Sequence, residues 1–236
     1  KYAVCVNSGS SGLLLALKAL KLPPHSKVLT AACGFPATLT PILHCGFIPV
    51  FVDYELPSHN INLGQALDKI TGDKKIRAII LAHTLGNPVD VDLLSFICDQ
   101  QGIPLIEDCC EAVGATLDKR PVGSIGSSGV FSFYPSHQMT ALGGGGMVVT
   151  NDETLCTRMR SMRDWGKRYD ASTYRLSNIQ TQYDTPILGE TFPYYWGYVY
   201  DEVGFNMKLP DANAAFGREQ LRKLPVWRDK RQEHFA

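Results

Sequence analysis

Short apolar runs alternate along this chain with longer stretches whose apolar positions recur at helical spacing. Tyr2–Val6, Lys27–Leu29, Ile48–Val52, Arg77–Ala82, Ile103–Glu107, Val130–Phe133 and Gly146–Thr150 read as strands. Between them, Ser11–Leu20, Pro36–Cys45, Leu63–Ile70, Val91–Gln101 and Asp152–Arg163 carry an apolar stripe and read as helices. Asn60 or Asn62 is placed to cap the third of these, and Asn151 or Asp152 the last. Arg77–Ala82 is apolar almost throughout, as a strand covered on both faces must be. This alternation predicts an α/β domain with a mostly parallel sheet covered by helices. Ligands of such sheets sit beyond the carboxyl ends of the strands. After Gly166 the pattern weakens: residues 167–200 are rich in Tyr, Thr, Pro and Gln, the mark of a long irregular excursion. Helical spacing returns over Asp211–Lys223, and Pro225–Phe235 reads as the start of another helix.

Composition narrows the function classes. The 236 residues are enough for one large domain with a sizeable core. Lys+Arg and Asp+Glu both number 23, so the field offers nothing to nucleic acid or to an anionic membrane surface. A small polar ligand held by local groups fits better. The seven cysteines, Cys5, Cys33, Cys45, Cys98, Cys109, Cys110 and Cys156, are odd in number and form no C-x-x-C pair. They predict neither a zinc site nor a disulfide framework, but reduced thiols in a cytoplasmic protein. No signal peptide and no membrane-length apolar run is visible.

Three constellations carry candidate chemistry. Asn7-Ser8-Gly9-Ser10-Ser11-Gly12 follows a strand and opens a helix, where backbone N–H groups and the helix dipole favour an anion. A plain serine cap gives the same string. Glu107 and Asp108 end a buried strand, where an acid can hold a protonated ring nitrogen or cap the next helix. Gly143–Gly146 follows the run Phe131-Ser132-Phe133-Tyr134-Pro135-Ser136-His137. Those glycines suit either close approach of a ligand to the backbone or a tight turn into the next strand. His83 ends a buried strand and is a candidate to line the site. Ser132, His137 and Asp108 also invite a hydrolase triad, but Ser132 lacks a G-x-S-x-G elbow.

The order of these pieces resembles the DegT/DnrJ/EryC1/StrS family, fold type I vitamin B6 enzymes acting on nucleotide-linked sugars. The resemblance runs from about Tyr2 to Leu221. It rests on Asn7–Ser11, Gly34-Phe35-Pro36-Ala37-Thr38, Pro49–Asp53, Ile106–Ala112, Phe131–Pro135, Gly204–Lys208 and Asp211–Ala215. It implies a three-layer α/β/α large domain over residues 1–221, with 222–236 starting a small C-terminal domain. The family's segment before Lys1 and the rest of its small domain would lie outside this sequence. It further implies that Ser10, Ser11 and Ser132 hold the phosphate of pyridoxal or pyridoxamine phosphate, that Phe35 stacks on the ring, and that Asp108 pairs with the ring nitrogen. Glu111 stands where the family often has glutamine near the ring hydroxyl. Asn206 matches an asparagine that reaches the neighbouring subunit's phosphate, so a homodimer with shared sites is implied.

At the position of the family's Schiff-base lysine this chain has His137, and no lysine occurs in 127–150. A histidine moves protons but cannot hold the cofactor covalently. That substitution is similar to the nucleotide-sugar 3-dehydratases, as are Ser136–Thr140 and Ala82–Pro88. The resemblance then implies a pyridoxamine-phosphate-dependent C3 dehydration of a nucleotide-linked 4-keto-6-deoxyhexose, as in lipopolysaccharide deoxysugar synthesis. A sugar aminotransferase and a non-catalytic relative are the alternatives. One dehydratase subtype carries a [2Fe-2S] cluster on cysteines after an Arg-Asp-Trp-Gly string. Arg163-Asp164-Trp165-Gly166 is present, but no cysteine follows, so no iron–sulfur cluster and no other metal is expected.

Overall fold

A computed structural model of the chain describes residues 1–56, 58–168 and 198–235, with the backbone of two short strands between the last two stretches. In chain order the strands are β1 (Tyr2–Val6), β2 (Lys27–Ala31), β3 (Ile48–Val52), β4 (Ile76–Ala82), β5 (Leu105–Asp108), β6 (Thr116–Leu117), β7 (Arg120–Pro121), β8 (Ser128–Ser132), β9 (Gly146–Thr150), β10 (Asp184–Ile187) and β11 (Glu190–Pro193). The helices are α1 (Gly9–Ala19), α2 (Pro36–His44), α3 (Leu63–Gly72), α4 (Asp92–Gln101), α5 (Glu153–Arg163) and α6 (Asp211–Phe235).

Seven strands form the central sheet in the order β1-β9-β8-β5-β4-β2-β3. From β8 to β3 every pairing is parallel, while β9 runs antiparallel to both β8 and β1. Alternation along β4 separates two cores: Ala78 and Ile80 face one side, Ile79 and Leu81 the other. On the first side α1, α2 and α5 contribute Leu13, Leu17, Ile42 and Met159. On the second, α3 and α4 contribute Ile70, Leu94 and Cys98. The result is the expected three-layer α/β/α arrangement. Each fully buried Leu or Ile contributes about 1.5–3 kcal/mol of transfer free energy.

Helix starts follow their caps. Ser8 Oγ accepts from Ser11 N at 3.1 Å, Asn62 Oδ1 from Gln65 N at 2.8 Å, and Asp152 Oδ1 from Thr154 N at 2.7 Å. Asn62 and Asp152, rather than Asn60 and Asn151, are therefore the caps. Among the described residues no helix is long and apolar enough to cross a membrane.

The separate helix expected after Pro225 does not form, because α6 passes straight through the proline. A proline inside a helix costs about 3 kcal/mol and leaves the carbonyl four residues back without its partner. Here that carbonyl belongs to Leu221, on an exposed turn where water can satisfy it, while Leu224 and Trp227 on either side of the proline pack onto the domain. Most of the expected irregular excursion over 167–200 lies outside the described residues. Its ends meet, since Arg168 N donates to Val199 O at 2.8 Å.

Candidate functional site

The start of α1 is pressed against the end of β8. A Cβ at Gly9 would stand 2.8 Å from both the Ser132 Cβ and the Cys110 Sγ, so only glycine allows this approach. The preceding turn is held from two sides: Asn7 N donates to Met207 O at 2.9 Å, and Gly145 N donates to Asn7 O at 3.2 Å. Ser8 Oγ also donates to Ser11 Oγ at 3.0 Å. Exposed Ser10, half-buried Ser11 and buried Ser132 thus gather around the positive end of one helix, a set of donors suited to an anion. Gly9→Ala should force α1 away from Ser132. We expect it to weaken binding of a phosphate-bearing ligand at least about tenfold, a loss of about 1.4 kcal/mol, with a smaller effect on melting. Isothermal titration with pyridoxamine phosphate checks this.

Strand alternation sends the two acids of β5 to opposite faces. Glu107 points into the core, where Oε2 accepts from His83 Nε2 at 3.0 Å and Gly123 N at 2.8 Å. Its Oε1 accepts from Ile125 N at 2.9 Å and Gly126 N at 2.7 Å. Burial alone would raise its pKa, but the hydrogen bonds from His83, Gly126 and Gly123 hold it below the ordinary value. His83, a candidate site residue, is instead fully buried in this network. Its Nδ1 accepts from Val89 N at 3.0 Å, which places the ring proton on Nε2 facing Glu107. His83, Glu107 and Cys109 lie close enough to suggest a metal cluster. Glu107 is already saturated, however, and burial beside two carboxylates pushes the Cys109 thiol well up, against the thiolate that a metal requires.

Asp108 faces the other way, buried at the strand end. It accepts from Thr38 Oγ1 at 2.7 Å and Cys110 N at 3.2 Å. Thr38 is one turn into α2, whose N-cap is Phe35, and the Phe35 ring is 76% exposed. An aromatic face open to a flat ligand therefore stands a turn away from the residue that anchors Asp108.

The segment between β8 and β9 carries His137. It is half-buried, its N donates to Tyr134 O at 3.0 Å, and its ring lies edge-on to Tyr134 with centroids 6.3 Å apart. The next side chain, Gln138, donates through Nε2 to the Glu111 carbonyl. The Glu111 carboxylate accepts from Leu85 N at 2.9 Å. Gly86 adopts φ +81° with its Cα against the Glu111 carbonyl, where a Cβ would come within 2.9 Å. The loops after β4, β5 and β8, neighbours in the sheet, are thereby laced together at its carboxyl edge. The glycine run does begin in a tight turn: Leu142 and Gly143, at φ 56° and 88°, link the antiparallel bridge partners Ala141 and Gly144, after which Gly145 bridges back to Ser8 and Gly146 opens β9. Asn206 is exposed and bridges to Asp164, next to the Met207 that receives Asn7 N. Ser132 Oγ accepts from Tyr134 N at 3.3 Å. Among the described residues neither Ser132 nor Asp108 bonds His137, so no hydrolase triad is assembled.

Sequence reasoning missed Thr38 and Gln138. Thr38 was readable in principle as a polar position at the first turn of a helix, where a side-chain hydroxyl can serve a neighbouring strand end. Gln138 had no signal, because its partner is a backbone carbonyl from another loop.

Residues 1–236 match the DegT/DnrJ/EryC1/StrS aminotransferase family over their whole length. The chain belongs to this family. It is 35% identical to lipopolysaccharide biosynthesis protein RfbH of Salmonella typhimurium, across 100% of this chain and 55% of that protein. It is 36% identical to the dTDP-4-dehydro-2,6-dideoxy-D-glucose 3-dehydratase of Saccharopolyspora spinosa, across 100% of this chain and 52% of that one. The structure of E. coli GDP-4-keto-6-deoxy-D-mannose-3-dehydratase with bound hydrated PLP superposes with a TM-score of 0.80 at 29% identity, covering 95% of this chain and 57% of that one. The chain thus spans about half the length of the relatives that it matches.

Proposed function

We propose that the chain carries the cofactor-binding part of a pyridoxamine-phosphate-dependent dehydratase. It removes the C3 hydroxyl of a nucleotide-linked 4-keto-6-deoxyhexose for deoxysugar synthesis, of the kind that builds lipopolysaccharide. The reading rests on His137, in the laced loop at the carboxyl edge of β8: by resemblance it stands where the family has its lysine, and 127–150 contains no lysine at all. The relatives from Saccharopolyspora spinosa and E. coli are both sugar 3-dehydratases. The aminotransferase alternative needs a lysine from elsewhere.

The residues fit the cofactor. The Gly9 approach leaves Ser10, Ser11, Ser132 and the first N–H groups of α1 around one phosphate-sized anion. The exposed Phe35 ring supplies a stacking face. Asp108, buried and oriented by Thr38 and Cys110, would hold a proton on the ring nitrogen. Glu111 would be the group toward the ring hydroxyl, and unlike glutamine its carboxylate offers no N–H; one of its oxygens already accepts from Leu85 N. Bound there, pyridoxamine phosphate supplies an amine for the C4 ketone and an electron sink. With the group bound, His137 would be the residue to accept a proton at the cofactor methylene and to donate one at the C3 oxygen. We take the working unit as a homodimer in the cytoplasm, with Asn206 directed to the partner's phosphate.

Full-length protein given pyridoxamine phosphate and a 4-keto-6-deoxy nucleotide sugar should release a C3-deoxygenated product, seen by mass spectrometry. No turnover with CDP-, GDP-, TDP- and UDP-linked substrates overturns the assignment.

A further inference from the structure

Helix α6 grips the His137 loop at two points about five turns apart. Near its start, Asn213 Nδ2 donates to Ala141 O at 2.6 Å and to Leu142 O at 3.3 Å. Near its end, Arg231 Nη2 donates to Gln138 O at 2.9 Å, on the residue next to His137. Between the two, Gly217 packs closely on Ala141, where a Cβ would stand 3.2 Å from the Ala141 Cβ. Trp227 packs against the cluster of Phe133, Met139 and Ala141. Beyond its base, where Phe133 N donates to Gly145 O at 2.9 Å, and the bridge between Ala141 and Gly144, the loop's own backbone bonds are few: His137 N to Tyr134 O at 3.0 Å, and a long Ala141 N to Phe133 O contact of 3.4 Å. Its peptide planes are therefore oriented largely by side chains from α6, with Gln138 to the Glu111 carbonyl as the tie on the far side.

We propose that Asn213 and Arg231 are positioning residues for His137, acting as a two-point clamp that fixes where its imidazole stands relative to the cofactor. The inference rests on the reading of His137 as the proton carrier. Proton transfer needs heavy atoms about 2.6–3.2 Å apart, and a misplacement of about 1 Å costs about 100-fold in rate. A guanidinium bonded to a carbonyl is a charge-assisted bond, stronger than a neutral one. Gln138 O lies on the Gln138–Met139 peptide, one peptide beyond the His137–Gln138 link, so holding it limits rotation of the backbone that leaves His137. Because α6 leads on toward the end of the described chain, whatever tilts this helix also tilts the catalytic loop.

The test uses the full-length protein. Arg231→Met and Asn213→Ala should each lower kcat for C3 deoxygenation about 100-fold, with KM for the sugar and retention of pyridoxamine phosphate unchanged. Arg231→Lys, which keeps a charged donor, should recover most of the rate. The second readout needs no dehydration. In a His137→Lys background given pyridoxal phosphate, borohydride should fix the cofactor on residue 137, and adding Arg231→Met or Asn213→Ala should reduce that yield severalfold. Unchanged kcat together with unchanged yield overturns the clamp, and a rise in KM at constant kcat marks a substrate contact and overturns it too. A fall in yield with no dehydration by the parent overturns the dehydratase reading and leaves the clamp standing. A His137→Lys protein that fixes no cofactor shows that the side chain faces away, and overturns both. If Asn213→Ala fails to fold, Arg231→Met, at an exposed position, decides alone.

Discussion

Changing His137 to asparagine should lower C3 deoxygenation by about 10²–10⁴-fold, the range typical of a lost acid–base group. The fold should be untouched. The imidazole is half-buried and its ring contact is the exposed Tyr134, so the change in stability should stay within about 0.5 kcal/mol. Binding of pyridoxamine phosphate should persist, since the groups proposed to hold it are Ser10, Ser11, Ser132, Phe35 and Asp108. Single-turnover kinetics with quantified cofactor separates these effects. An asparagine variant within threefold of the parent rate would remove His137 from the chemistry.

The second large effect is on stability. Glu107→Gln should destabilise the domain by about 2–6 kcal/mol, about 1–3 kcal/mol for each of the two buried donors that the glutamine NH₂ would leave without an acceptor. All four partners of Glu107 are donors: His83 Nε2, Gly123 N, Ile125 N and Gly126 N. A glutamine must point its NH₂ at some of them, donor against donor, in a site with no exposure. The parent should also show a pH dependence of a definite sign. The folded-state pKa of Glu107 lies below its ordinary 4.5. The ionised carboxylate therefore contributes stability that is fully present above that value and is lost as pH falls from there through the lowered folded-state pKa. The Glu107→Gln variant should lack that component. Urea melts at neutral pH and at several points below pH 4.5 test both statements. A loss under 1 kcal/mol at neutral pH would show that the network does not hold the loops after β4 and β7.

Much of the layered fold was legible because burial imposes period on sequence. The apolar run in β4 and the striped helices around it could only be a sheet covered on both faces. The capped turn Asn7–Gly12 was legible as a helix start, and the structure places it beside Ser132. Legibility failed where long-range contacts outweigh local preference. Pro225 reads as a stop, yet Leu224 and Trp227 hold the helix through it. His83 and Glu107 looked like site residues because both end strands. Side-chain alternation turns Glu107 away from Asp108, and the Val89 amide claims the second nitrogen of His83. Glu111 reads as a cofactor contact by resemblance, and its engagement with Leu85 N is invisible without the loop after β4. The role of α6 had no local signal, since Asn213 and Arg231 bond to backbone carbonyls far away in sequence.

The position of β9 has a consequence for how the molecule comes to exist. Within the central sheet β1 pairs only with β9, Tyr2 opposite Thr150 and Val6 opposite Gly146. On the ribosome β1 and α1 emerge long before their partner strand is made. Contacts so distant in sequence close slowly, and unpaired strand edges invite aggregation while they wait. Meanwhile the parallel block from β2 to β5 can assemble. The head of α1, wedged between Ser132 and Gly145, is therefore expected among the last parts of the domain to take shape, and it would be the part most exposed to a chaperone.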